Sequence, residues 1–180
     1  MNTEDRSHHA HGVSEHVHEA LDEIRTKAAL VPGRDAVAYG GSKAALLAYG
    51  SMVPASVSAG EILGKEGIRP TVVNARFVKP LDVALIKELA ETHDAIVTVE
   101  EAYLAGGFGS AVIEALEELG LQDAVKVVRL GVPDEIVTHG DAATLLSGYG
   151  LDAAGIATAT RNALLQTGGA VRSEKLRAVK

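Results

Sequence analysis

Asp94–Ser110, DAIVTVEEAYLAGGFGS, passes from an apolar run through paired acids into a glycine-rich loop. Ala95, Ile96, Val97, Thr98 and Val99 form a short, nearly all-apolar segment, the pattern of a strand covered on both faces. Glu100 and Glu101 are expected to end it. Gly106, Gly107 and Gly109 then open a segment in which Ala111, Val112, Ala115, Leu116 and Leu119 recur at helical spacing. Strand, glycine turn and helix together make the unit of an open α/β sheet. The edge of the sheet where the strands end is where ligands or partner chains dock.

The same alternation extends to both sides. Upstream, Ala44–Tyr49 and Thr71–Ala75 read as strands, separated by a turn at Gly50–Met52 and a helix over 54–65. Pro54 suits that helix's first turn, and Val57, Ile62 and Leu63 are expected to face inward. Asp82 is placed to cap a helix over 83–92 that carries Leu85, Ile86 and Leu89. Downstream, Val125–Leu130 reads as a strand and Pro133–Gly140 as a loop. Ala142–Leu146 and Asp152–Leu165 read as helices. Strands alternating with helices predict a three-layer α/β/α fold around a mostly parallel, roughly five-stranded sheet.

The ends differ from this middle. Residues 1–43 are read as a His-rich tail with a possible helix and a connection, 44–166 as the folded domain, and 167–180 as a flexible tail. Ser14 can cap a helix on which Val17, Leu21, Ile24 and Ala28 share a face. Arg34–Lys43 reads as a connection. Its AVAYGG echoes the later ALLAYG over too few residues to be a repeat.

Composition narrows the function. With 47% hydrophobic residues in 180, the chain can bury a core, and with 3% aromatics that core must be Ala, Val, Leu and Ile. The absence of cysteine excludes disulfides, zinc thiolates and cysteine nucleophiles. A net charge of −7 argues against a nucleic-acid partner. No apolar run reaches the roughly 18 residues of a membrane helix, and the polar amino terminus is unlike a signal peptide. A cytoplasmic protein is the default expectation.

Several phrases then point to one family. LLAYGSMV (46–53), VVNARFVKPLD (72–82), AIVTVEE (95–101), GGFGSAVIEAL (106–116), RLGVPDEIVTHG (129–140) and GLDAAGI (150–156) resemble the carboxy-terminal domain of 1-deoxy-D-xylulose-5-phosphate synthases. These are thiamine-diphosphate enzymes of the transketolase superfamily. The resemblance spans about residues 44–165. It implies a transketolase C-terminal-like fold and a place in isoprenoid-precursor and thiamine biosynthesis. The family reaction decarboxylates pyruvate and joins the remainder to glyceraldehyde 3-phosphate, with thiamine diphosphate and Mg²⁺. The cofactor and substrate-phosphate residues of the family lie in two upstream domains that nothing here resembles, and no Gly-Asp-Gly metal motif is present. The resemblance therefore implies no catalytic or cofactor-binding residue in this chain. It implies self-association, as a dimer, or docking to thiamine-diphosphate-binding domains.

Two other readings stand beside that one. The first is a free-standing regulatory module, which would hold a small anion or a partner subunit on a loop made of Glu101, Gly106, Gly107, Gly109 and Ser110. The second is the beta-type C-terminal domain of a 2-oxoacid dehydrogenase, with which VEE and GGFGS are shared. Glu100 and Glu101 are adjacent, so on an extended chain they point to opposite faces and cannot share a proton across one site. One of them can accept bonds from backbone N–H groups. Arg76, Phe77 and Lys79 read as an interdomain surface. His139 lacks a triad partner nearby. His8, His9, His11, His16 and His18 form a tail that binds metal adventitiously, with no fixed site expected.

Overall fold

The structure is a computed structural model that describes residues 36–39, 41 and 43–167. The expected helix after Ser14, the histidine cluster and the tail after Thr167 lie outside the described residues. Five strands form one sheet in the order β1-β3-β2-β4-β5: β1 (Ala36–Tyr39), β2 (Ala44–Tyr49), β3 (Thr71–Ala75), β4 (Ala95–Tyr103) and β5 (Lys126–Val132). β2, β3, β4 and β5 run parallel, and β1 is antiparallel to β3. The helices are α1 (Val53–Lys65), α2 (Val83–Thr92), α3 (Phe108–Glu118), α4 (Ala142–Gly148) and α5 (Ala153–Gln166). A 3-10 turn at Gly50–Met52 leads into α1.

Side-chain alternation divides the core into two layers. Leu46, Ala48, Val72, Val97 and Val99 face α1 and α5, meeting Val57, Leu63, Ile156 and Ala157. Ala45, Leu47, Val73, Ala75 and Ile96 face α2 and α3, meeting Ile86, Leu89, Val112 and Leu116. A strand buried on both faces needs apolar residues at every position, which is why AALLAY and AIVTV lack the polar alternation of a half-exposed strand. Each fully buried Leu or Val contributes about 1.5–3 kcal/mol.

Three helices start on an aspartate. The Asp82 carboxylate accepts from Leu85 N at 3.1 Å, that of Asp141 from Thr144 N at 2.9 Å and that of Asp152 from Gly155 N at 2.7 Å. Each fills a donor that an uncapped helix start leaves open. Among the described residues, no helix is long and apolar enough to cross a membrane.

Two sequence expectations need correction. Arg34–Lys43 is more than a connection, because β1 lies within it and pairs Ala36 with Asn74 and Val37 with Val73. Four residues before a glycine pair carry too little periodicity to reveal a strand whose partner lies so far along the chain. Glu100 and Glu101 also do not end β4, which continues to Tyr103 opposite Val132 after a register shift beyond Val99. A buried acid is tolerated there because its carboxylate finds two backbone donors.

Candidate functional site: the C-terminal edge of the sheet

The chain passes from β2 outward to β3 and then returns across β2 to β4, so the strand order reverses between β2 and β4. In open α/β sheets, ligands and partners meet the edge at this reversal. The 3-10 turn after β2 and the 100–110 segment, which runs from the last residues of β4 into α3, stand there side by side. Alternation along β4 sends the two acids to opposite faces. Glu100 turns toward α3 and is buried, whereas Glu101 is exposed and accepts a hydrogen bond from the Ser51 hydroxyl across the reversal.

Glu100 supplies the cap that α3 lacks locally. The residue before α3 is Gly107, which has no side chain to accept a bond. Instead the Glu100 carboxylate accepts from Phe108 N at 2.6 Å and from Gly109 N at 2.8 Å. An acid at a helix start is also favoured by the helix dipole. Gly107 is required by approach, since a β-carbon there would collide with the Glu100 carboxylate and the Tyr103 carbonyl. Gly106 is required by conformation, with φ +73°.

A second network ties down the rest of the loop. Arg129 on β5 donates from Nη1 to the Leu104 carbonyl at 2.8 Å and to Ser110 Oγ at 3.0 Å. Ser110 Oγ donates to the same carbonyl at 2.9 Å and accepts from Gly106 N at 3.1 Å. Behind it the Tyr49 and Phe108 rings stack at 5.6 Å, 18° from parallel. Gly106, Gly107, Gly109 and Ser110 thus come together, but the donors of Phe108 and Gly109 are engaged inside the protein. Glu101 stands apart on the Ser51 side.

Beside this staple lies an exposed surface. Tyr103 is 51% exposed at the end of β4, and Ile136 is 94% exposed in the loop after β5. The Tyr149 hydroxyl donates to Glu135 at 2.8 Å. That bond holds the phenol above its ordinary pKa, and the nearby Tyr103 adds in the same direction. α4 buries none of its residues. Arg76 and Phe77 are half-buried, while Lys79 and His139 are exposed. Among the described residues no group of three or more His, Asp or Glu side chains is placed to hold a metal. Sequence reasoning missed Arg129, Tyr103 and Ile136. The available signal was Ile136 and Val137, two apolar side chains inside an otherwise polar loop.

Comparison with known proteins fits this architecture. A sequence profile of the transketolase, C-terminal domain family matches residues 33–156. A 1-deoxy-D-xylulose-5-phosphate synthase of Burkholderia ambifaria is 52% identical over 125 residues, which is 69% of this chain and 18% of that protein. The synthase of Bordetella avium is 49% identical over 129 residues, 72% of this chain and 20% of that protein. The chain therefore spans only 18–20% of the length of these two relatives. Among solved structures, a split-gene transketolase described as an inactive beta4 tetramer matches with a TM-score of 0.71 at 34% identity. It covers 77% of this chain and 45% of that one. A transketolase from Leishmania mexicana matches with a TM-score of 0.53 at 16% identity, over 84% of this chain and 20% of that one, a likeness of fold alone.

Proposed function

Because the chain belongs to the transketolase C-terminal domain family, we propose that it is the docking domain of a 1-deoxy-D-xylulose-5-phosphate synthase-type assembly. Its C-terminal sheet edge seats on thiamine-diphosphate-binding domains, and copies associate with one another when those domains are absent. The observation that carries this reading is the pairing of a rigid loop with a bare apolar surface. Glu100 and Arg129 fix the 100–110 segment, in which Tyr103 is 51% exposed, and Ile136 stands in solvent in the loop that follows β5. Exposed apolar side chains on a fixed frame mark contact surfaces. The identity to synthases supports the family reaction for the assembly, and the beta4 tetramer of the split-gene relative supports self-association.

In this reading the partner domains hold thiamine diphosphate and Mg²⁺ and carry out the chemistry. Its support is the donor set at the start of α3. The N–H groups that would greet a diphosphate already hold Glu100. The same engagement counts against the regulatory module with an anion on the glycine loop.

Sedimentation of the full chain tests the proposal. The wild type should form a concentration-dependent dimer or larger species, and Ile136→Asp should shift it to monomer with unchanged circular dichroism. A wild type that stays monomeric at high concentration overturns the contact-surface reading.

A further inference from the structure

The exposed surface at the C-terminal sheet edge holds one carboxylate with capacity to spare. β5 ends at Val132, which stands in register with Tyr103 and whose carbonyl accepts from Leu104 N at 2.9 Å. Tyr103 is thereby fixed where the chain leaves β5. Three residues on, the Glu135 N–H donates to the Pro133 carbonyl at 2.8 Å and folds the loop back on itself. Tyr149, the residue after α4, packs against the same core layer as Leu130 and Val132, and its hydroxyl donates to Glu135 Oε1 at 2.8 Å. Two phenols and one carboxylate thus share one corner of the edge, and Ile136 projects from the residue next to Glu135.

The Glu135 carboxylate is oriented but only half used. Its hydrogen bond from Tyr149 engages one oxygen, and among the described residues no basic side chain pairs with Glu135 or with its exposed neighbour Asp134. Charge at this corner has one sign. Glu101 and Asp141 are exposed at the same edge. Arg129 is turned inward to the Leu104 carbonyl and Ser110 Oγ. A lone carboxylate in solvent gains little from a mobile counter-charge. One that is held by a phenol and flanked by aromatic rings offers a planar cation both an acceptor and a surface to lie on. Arginine meets that need better than lysine, because its guanidinium is flat, donates in a fork and stacks on rings.

We infer that this corner is a socket for an arginine side chain on the partner surface, with Glu135 as counter-ion, Tyr103 and Tyr149 as walls and Ile136 as the apolar contact at its rim. The inference rests on the docking reading above and names the partner's chemistry: a basic surface that carries an arginine opposite an apolar patch. The free oxygen of Glu135 accepts from the guanidinium, Tyr149 holds the carboxylate in place, and the exposed ring of Tyr103 stacks on the cation. Closure of the partner around Ile136 excludes water from the pair, which strengthens it. The net charge of −7 draws such a partner in at low salt.

Nuclear magnetic resonance titration of the full isotope-labelled chain with N-acetyl-arginine methylamide tests the socket, at a concentration low enough for copies to dissociate. Amide shifts should saturate and centre on Tyr103, Glu135, Ile136 and Tyr149. Glu135→Gln should weaken binding about tenfold, the loss of a charge-assisted bond. Tyr103→Ala should weaken it about twofold to fivefold. Both side chains are exposed, so circular dichroism should not change. N-acetyl-lysine methylamide should bind more weakly than the arginine probe. Shifts that do not saturate, an affinity unaltered by Glu135→Gln, or equal binding of the two probes overturns the socket. Its failure is separable from that of the docking reading. A chain that self-associates but ignores the arginine probe keeps the contact surface and loses the socket, and a chain that binds the probe yet stays monomeric does the reverse.

Discussion

Replacing Glu100 with glutamine tests the staple while conserving shape. The wild-type carboxylate accepts from Phe108 N with one oxygen and from Gly109 N with the other, and the side chain is 1% exposed. Glutamine keeps one acceptor and turns an amide N–H₂ toward the second donor. A backbone N–H and an amide donor then face each other in a buried site. Each unpaired buried donor costs about 1–3 kcal/mol, and the lost charge removes a favourable interaction with the α3 dipole. The expected loss is about 2–4 kcal/mol, a large part of the roughly 5–15 kcal/mol that stabilises a typical domain. Urea unfolding followed by circular dichroism reads this directly. With a slope of about 2 kcal/mol/M the midpoint should fall by about 1–2 M at unchanged slope. A midpoint within about 0.2 M of wild type refutes the staple.

Other consequences are open to measurement. Gly107→Ala needs no change of backbone region, φ being −81°, so its cost arises from pushing the Glu100 carboxylate and the Tyr103 carbonyl aside. We expect about 1–3 kcal/mol. Combined with Glu100→Gln it should cost less than the two single losses added, and strict additivity would separate the two sites. Asp152→Ala should destabilise by about 1 kcal/mol near neutral pH, the cost of a lost cap. The Ser147 hydroxyl and Gly155 N–H hold the Asp152 pKa below its ordinary 3.8. Its stabilisation is therefore complete above that value and lost as pH falls through the lowered one. The gap between wild type and variant should narrow in acid, and a constant gap from pH 6 to pH 2.5 contradicts that assignment.

The order of elements was legible wherever apolar periodicity is local. AALLAY and AIVTV announce strands buried on both faces, and Asp82 lies three residues before the N–H it caps. The opposite facing of Glu100 and Glu101 follows from adjacency on an extended chain. What each acid meets does not, because Phe108 N reaches Glu100 only after α3 has packed on β4. Strand β1 was hidden for a related reason. Its four residues acquire meaning from β3, more than thirty positions later. The exposure of Tyr103 left no trace, since an apolar side chain in a sequence says nothing of what covers it, whereas Ile136 and Val137 stand out against the polar loop around them. The bond between Tyr149 and Glu135 joins residues 14 apart on either side of α4, and no pattern announces it.

The proposed division of labour between this domain and thiamine-diphosphate-binding partners is best tested by calorimetric titration of the full chain with thiamine diphosphate in the presence of Mg²⁺. A docking domain whose helix-start donors are filled by its own Glu100 should give no heat beyond dilution. Saturable binding at one coenzyme per chain would contradict the account and return the 100–110 loop to consideration as a ligand site.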